Sequence, residues 1–203
     1  MCQVDSRSNK IVSYSQISFP IKNKIIGLVS HPFGDIDKEE EISNRLESLL
    51  NASPWLSYPF SKVCMVYHNK LSTLIPTPLF NKNNAALYLE FNHAFKKETR
   101  IVFDIVKHTD AVNVYGLPEK LVEKVKTTWP NVLLKHASTS LIETLHVLVK
   151  NKNDNNILFL NVAKSSFDLV YFRENKLHFY NQFAYNTKAD LIYFLLASLE
   201  QLE

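Results

Sequence analysis

The run Asn161-Val162-Ala163-Lys164-Ser165-Ser166 is where this 203-residue sequence comes nearest to a phosphate site. The ammonium of Lys164 and the hydroxyls of Ser165 and Ser166 are groups that hydrogen-bond phosphate oxygens, and Asn161 can hold a water molecule. Phosphate-binding hairpins, however, rely on glycines, whose missing Cβ lets backbone N–H groups approach the anion. They also carry an Asp that positions a metal-bound water. Neither residue type occurs between 161 and 166. The same run also reads as a polar hairpin tip suited to turn formation alone. No catalytic residue and no cofactor are assigned on this evidence.

Other chemistries find less material. The histidines His31, His68, His93, His108, His136, His146 and His178 include no pair at metal-ligand spacing on one element, so no metal site is expected. A two-metal nuclease needs several converging carboxylates. Asp104 and Asp168 alternate with apolar neighbours and are expected as exposed strand positions, Asp110 falls in a turn, and Asp190 caps a helix. With three glycines in all, neither a Walker-type loop nor a Gly-x-Ser-x-Gly elbow is present. Gly116 is expected to serve a tight turn between a strand and a helix.

The elements that would position these residues alternate between strand and helix. Strand-like runs at about Lys10 to Phe19 and Lys24 to Ser30 precede the acidic start Asp35 to Glu41, which suits a helix N-terminus. Ile42, Leu46, Leu49 and Leu50 then share a helical face, and Ser53-Pro54 ends it. Pro54 and Pro59 fix a loop whose Trp55, Tyr58 and Phe60 either pack inward or form a partner patch. A hairpin is expected from Lys62 to Tyr67 and Leu71 to Ile75, turning at His68-Asn69-Lys70. Another runs from Arg100 to Val106 and Ala111 to Tyr115. A helix with Pro118 as its first residue and Leu121, Val122 and Val125 inward stops before Pro130. Asn131 to His136 is a short strand, and the spacing of Ser140 and Glu143 predicts a capped helix start. The polar stretch Lys150 to Asn156 is a linker.

Beyond it, Ile157 to Tyr185 alternates as a three-stranded meander with a reversal at Arg173 to Lys176. Thr187 and Asp190 have the spacing of a helix cap, so a helix from about Lys188 follows. Three strands and one helix leave one sheet face and an edge without cover.

Composition sets outer limits on function. With 46% hydrophobic residues and 12% aromatic, the chain has enough apolar material for one sizeable core or two small ones. Its net charge of +3 is small, and the lysines of its helices alternate with glutamates, so no nucleic-acid stripe is expected. Cys2 and Cys64 supply neither a disulfide framework nor a metal motif, which suits a reducing cytoplasm. No apolar run approaches the roughly 20 residues of a membrane helix, so no membrane insertion is expected.

Pro54-Trp55-Leu56-Ser57-Tyr58-Pro59-Phe60, Val112 to Pro118, Trp129-Pro130-Asn131, Phe167 to Phe172 and Asp190 to Leu196 together resemble a domain-of-unknown-function family of Bacteroidetes. That family is similar in fold to the actin-like ATPases, whose two ribonuclease-H-like domains clasp nucleotide. In layout it resembles the cytoplasmic scaffold proteins of type IV pilus and type II secretion machines, and more distantly the actin-like cell-division protein. The resemblance implies an α/β chain with mixed sheets. Residues 1–152 would be a first ribonuclease-H-like domain lacking its N-terminal strand. Residues 157–203 would be a partial second domain, a three-stranded meander plus helix, so that the fold is truncated and a parent chain continues past Glu203. The loss of Asp and Gly from the phosphate hairpin then implies a non-catalytic scaffold or adaptor with a protein partner, able to self-associate through an open sheet edge. The alternative is a weak ATP- or ADP-binding conformational switch.

Overall fold

The computed structural model describes residues 2–5, 10–18, 26–30, 39–57, 60, 62–150, 152 and 156–202. In chain order the elements are β1 (Cys2–Asp5), β2 (Lys10–Ser18), β3 (Ile26–Ser30), α1 (Glu39–Ala52), β4 (Cys64–Tyr67), β5 (Ser72–Pro76) and α2 (Ala85–Asn92). There follow β6 (Thr99–Val106), β7 (Ala111–Pro118), α3 (Glu119–Thr128), β8 (Leu133–His136), α4 (Ala137–Lys150), β9 (Asn156–Val162), β10 (Ser166–Arg173), β11 (Lys176–Ala184) and α5 (Lys188–Leu202). The strands form sheets ordered β1-β2-β3, β5-β7-β6, β4-β8 and β11-β10-β9. The chain divides into two compact units, Met1–Met65 with Pro118–Leu133, and Val66–Leu117 with Leu134–Glu203. Of the expected linker, residues 151 and 153–155 lie outside the described residues, as do Tyr58, Pro59 and the side chain of Trp55.

In the first unit β2 pairs antiparallel with both β1 and β3. Leu46 of α1 and Leu121, Val122 and Val125 of α3 are buried, and the two helices pack together. The exposed Lys124–Glu47 pair at 3.5 Å adds little to that apolar contact. Pro118 stands at the cap before α3 rather than inside its first turn, and Trp129 N closes the other end on Val125 O at 2.8 Å. The Trp129 indole then donates to Leu56 O at 2.9 Å, tying the helix end to the turn that follows α1.

In the second unit the expected hairpin of β4 with β5 does not form, because β5 pairs antiparallel with β7 instead. Asn69 contributes, its amide donating to Gly116 O at 2.8 Å while its Oδ1 accepts Leu71 N at 3.2 Å, and with Gly116 N on Leu71 O at 3.0 Å it anchors the intended turn to β7. Gly116 is accordingly a strand residue and not a turn. A Cβ there would lie 2.3 Å from Leu71 Cδ2 and 2.7 Å from Thr99 Cγ2, so a side chain would force Leu71 and Thr99 to shift.

The meander forms as read, with β10 central between β9 and β11. Glu174 and Asn175 both have positive φ, 51° and 62°, and make the two-residue reversal that matches strand twist. Every β10 residue from Ser166 to Phe172 is buried, which requires cover on both faces. Val170 and Phe172 pack with Ile142, Leu145 and Val149 of α4. On the other face Phe167 stacks on Phe183 and Phe183 on Phe194 of α5, at 5.1 and 5.4 Å between centroids. The second sheet face, expected bare, is therefore covered by α4. Thr187 and Asp190 cap α5 reciprocally: Asp190 N donates to Thr187 Oγ1 at 3.2 Å, and the carboxylate accepts Thr187 N at 2.9 Å and Asn186 N at 3.0 Å. These backbone bonds hold the Asp190 carboxyl below its ordinary value.

Candidate functional site

Asn161, Asp168 and Gln182 are cross-strand neighbours on β9, β10 and β11, so the meander register brings their side chains to one face. Asp168 is only 6% exposed, which corrects the expectation of an exposed strand position. Its Oδ2 accepts Asn161 Nδ2 at 2.9 Å, and its Oδ1 accepts the Tyr180 hydroxyl at 3.0 Å and Gln182 Nε2 at 3.2 Å. The Gln182 amide also lies 3.0 Å from His68 Nε2. Burial, then the charge and hydrogen bond of Asp168, push the Tyr180 phenol far up. Tyr180 thus stays a neutral donor.

A second carboxylate is held in the same way. Asp104, half-buried rather than exposed, accepts the Tyr115 hydroxyl at 3.0 Å on Oδ1, and His136 N at 2.9 Å and Thr139 Oγ1 at 2.8 Å on Oδ2. The last two donors belong to the start of α4. That helix begins at Ala137, three residues before the expected cap at Ser140, because His136 supplies the capping acceptor. His136 Nδ1 accepts Ser138 N at 3.2 Å and lies 2.7 Å from Ser138 Oγ, and Nε2 lies 3.2 Å from Asn69 Oδ1. These partners assign a neutral ring protonated on Nε2. Burial first, and the neighbouring His68 second, lower the His136 pKa to about 4, against the hydrogen bond to Asn69. Glu143, the other half of the expected capping box, instead pairs with Lys135 and accepts Lys107 N. Asn113, fully buried, donates to both Ser138 Oγ and Thr139 Oγ1 at 2.9 Å.

The four residues singled out for phosphate are not brought together. Asn161 is engaged by Asp168, Lys164 is exposed at the tip, Ser165 is half-buried, and Ser166 is buried in β10. The tip closes on itself: Ala163 N donates to Ser166 O at 2.8 Å, Tyr185 N to Ser165 O at 3.0 Å, and the Tyr185 hydroxyl to Ala163 O at 2.5 Å. A shallow pocket of about 390 Å³ opens beside Tyr185, Asp190, Tyr193 and Phe194, and none of the four phosphate candidates lines it. Among the described residues no group of three or more His, Cys, Asp or Glu is placed to hold a metal ion. A carboxylate offers about four lone-pair positions, and three donors occupy three of those on Asp168. One position on Oδ2 is left open, so a metal ion at Asp168 would have to share the carboxylate with these three donors.

Tyr180, Gln182, His136 and Asn113 were not singled out by sequence reasoning, yet a signal for the carboxylates was available. Phe103-Asp104-Ile105-Val106 and Phe167-Asp168-Leu169-Val170 are the same pattern, and a Tyr follows the Asp by 11 or 12 residues in each case. An Asp inside such an apolar run is held by side-chain donors in both cases, buried at 168 and half-buried at 104.

An actin-like ATPase fold is what these sheets and helices define. The chain is similar over 94% of its length, at a TM-score of 0.77 and 22% identity, to 77% of a Bacteroides thetaiotaomicron protein described as having an actin-like ATPase fold and unknown function. Residues 1–203 match the family described as "Protein of unknown function (DUF3822)", and the chain belongs to that family. A fainter likeness, with 14% identity, a TM-score of 0.46 and coverage of 84% of this chain and 57% of the other, is to a chain of the PilM-PilN type IV pilus biogenesis complex; it is too slight to carry an argument. No curated protein matches the sequence.

Proposed function

We propose that this protein is a non-catalytic scaffold or adaptor built on the actin-like ATPase fold, working in the cytoplasm with a protein partner. The observation that carries the reading is the internal engagement of Asp168: a carboxylate beside the phosphate-type hairpin is held by Asn161, Tyr180 and Gln182. A hydrolase needs that group free to order a water or a metal ion. The glycine-free tip at 163–165 supports the same conclusion, since it offers no ready backbone approach to phosphate. Among the described residues no helix is long and apolar enough to cross a membrane. In this reading residues 1–152 descend from the first ribonuclease-H-like domain and 157–203 open the second, a boundary of topology rather than of packing. β9 and β11 are the edges of the meander sheet, and strand addition at an edge is one way to hold a partner or a second copy.

Steady-state ATP turnover with magnesium tests the reading, with Asn161→Asp beside the wild-type chain. Neither protein is expected to hydrolyse ATP above background, because one restored carboxylate does not supply the preorganised donors whose individual loss costs about a hundredfold or more. Turnover in the wild-type chain that is lost in Asp168→Ala would make it an ATPase.

A further inference from the structure

The outward face of α5 is apolar. Phe194 is turned inward onto Phe183, and Ser198 is buried, while Ile192, Tyr193 and Leu196 are 54%, 67% and 54% exposed and Leu199 is 37% exposed. Isolated exposed apolar residues are ordinary, but four on one face of one helix make a contact surface. Charge then specifies what covers it. Lys188, Ile192, Leu196 and Glu200 succeed one another at intervals of four and form one ridge, with a cation at one end and an anion at the other. The ridge is symmetric in spacing about the level of Phe194 and antisymmetric in charge. Turning a second α5 end for end about that level sets Ile192 against the partner's Leu196 and Lys188 against the partner's Glu200, at both ends at once. A parallel arrangement would oppose like charges. Among the described residues no ion pair within the chain engages Lys188 or Glu200.

We propose that a second copy of this chain docks antiparallel along this face of α5, in an isologous contact of the kind closed dimers use. The contact is separate from the meander edges and independent of the scaffold reading. Sedimentation equilibrium up to about 100 µM tests it, since a small interface of this kind holds only at such concentrations. The wild-type chain is expected to dimerise reversibly, and Leu196→Glu to be monomeric. Lys188→Glu and Glu200→Lys should each weaken the dimer about tenfold or more by placing like charges at both ends. Two rescues follow from the geometry: the double variant Lys188→Glu/Glu200→Lys dimerises again, and an equimolar mixture of the two single variants forms a heterodimer. The three substituted residues are exposed, so far-ultraviolet circular dichroism should be unchanged in every variant. A monomer at all concentrations overturns the proposal. So does a dimer indifferent to the swaps, the outcome that pairing through a sheet edge would give.

Discussion

Asn161 and Asp168 face each other across β9 and β10, and the amide of one donates to the carboxylate of the other at 2.9 Å. This pair settles the polar end of a sheet face whose remainder, Val170 and Phe172, packs on α4. With Tyr180 and Gln182 completing the set, the acid is a structural acceptor shared by all three strands rather than a ligand for something outside.

Replacing Asp168 with Ala should therefore cost about 2–3 kcal/mol, because a buried ionic acceptor is removed and the donors of Tyr180, Gln182 and Asn161 lose their common partner. Urea denaturation measures this directly. A loss under about 0.5 kcal/mol, the level of an ordinary surface change, would mean that the network does not hold the sheet.

The cap at His136 makes stability depend on pH. The folded pKa of about 4 lies below the unfolded value of 6.5, so the unfolded chain takes up a proton first. Its contribution is complete above about pH 6.5 and is lost as pH falls through that window toward 4, by up to roughly 3 kcal/mol. Protonation would also turn the Nδ1 acceptor into a donor aimed at Ser138 N. His136→Asn, which keeps a capping acceptor without the titration, should flatten the pH dependence of the urea midpoint between 4 and 6.5. An unchanged slope would assign the effect elsewhere.

At Gly116 a methyl group would meet Leu71 and Thr99 inside normal contact distance. Gly116→Ala should destabilise by about 1–3 kcal/mol through overpacking. Thermal unfolding of Gly116→Ala in a Leu71→Ala background should recover part of that loss, which a backbone-conformation effect would not.

Glu174 occupies a left-handed position at φ 51°, where a side chain is strained. Glu174→Gly should leave the β10–β11 register intact and stabilise by roughly 0.5–1 kcal/mol. Destabilisation would indicate that the Glu174 side chain makes contacts that matter more than its backbone strain.

Much of the fold is legible in local pattern. Alternation marks β9 to β11, the Thr187–Asp190 spacing marks the start of α5, and Leu121, Val122 and Val125 mark the inward face of α3. What local pattern does not carry is pairing. Tyr67 and Leu71 read as two arms of a hairpin, yet β4 pairs with β8 and β5 with β7, a strand distant in sequence that Asn69 and Leu71 also bond through Gly116. The α4 cap was missed for a related reason. His is not among the usual N-caps, and its role here depends on burial and on Asn69, neither visible in sequence. The candidate site was legible in its deficits, no glycine and no acid at the tip, but not in its contents. Alternation within a single strand placed Asp168 outside, whereas a strand buried on both faces, as β10 is, admits inward residues at either parity. Asp104 lies on the partly exposed edge strand β6 and is drawn in by its bonds to Tyr115, His136 and Thr139.

Calorimetric titration of the chain with ATP and with ADP, each with magnesium, tests the central claim most directly. With Asp168 engaged by three donors of its own and no glycine at the tip, binding should be no tighter than millimolar, about −4 kcal/mol. Micromolar binding that depends on magnesium and disappears in Asp168→Ala would contradict it, and would mean that the carboxylate leaves Asn161, Tyr180 and Gln182 to meet a nucleotide.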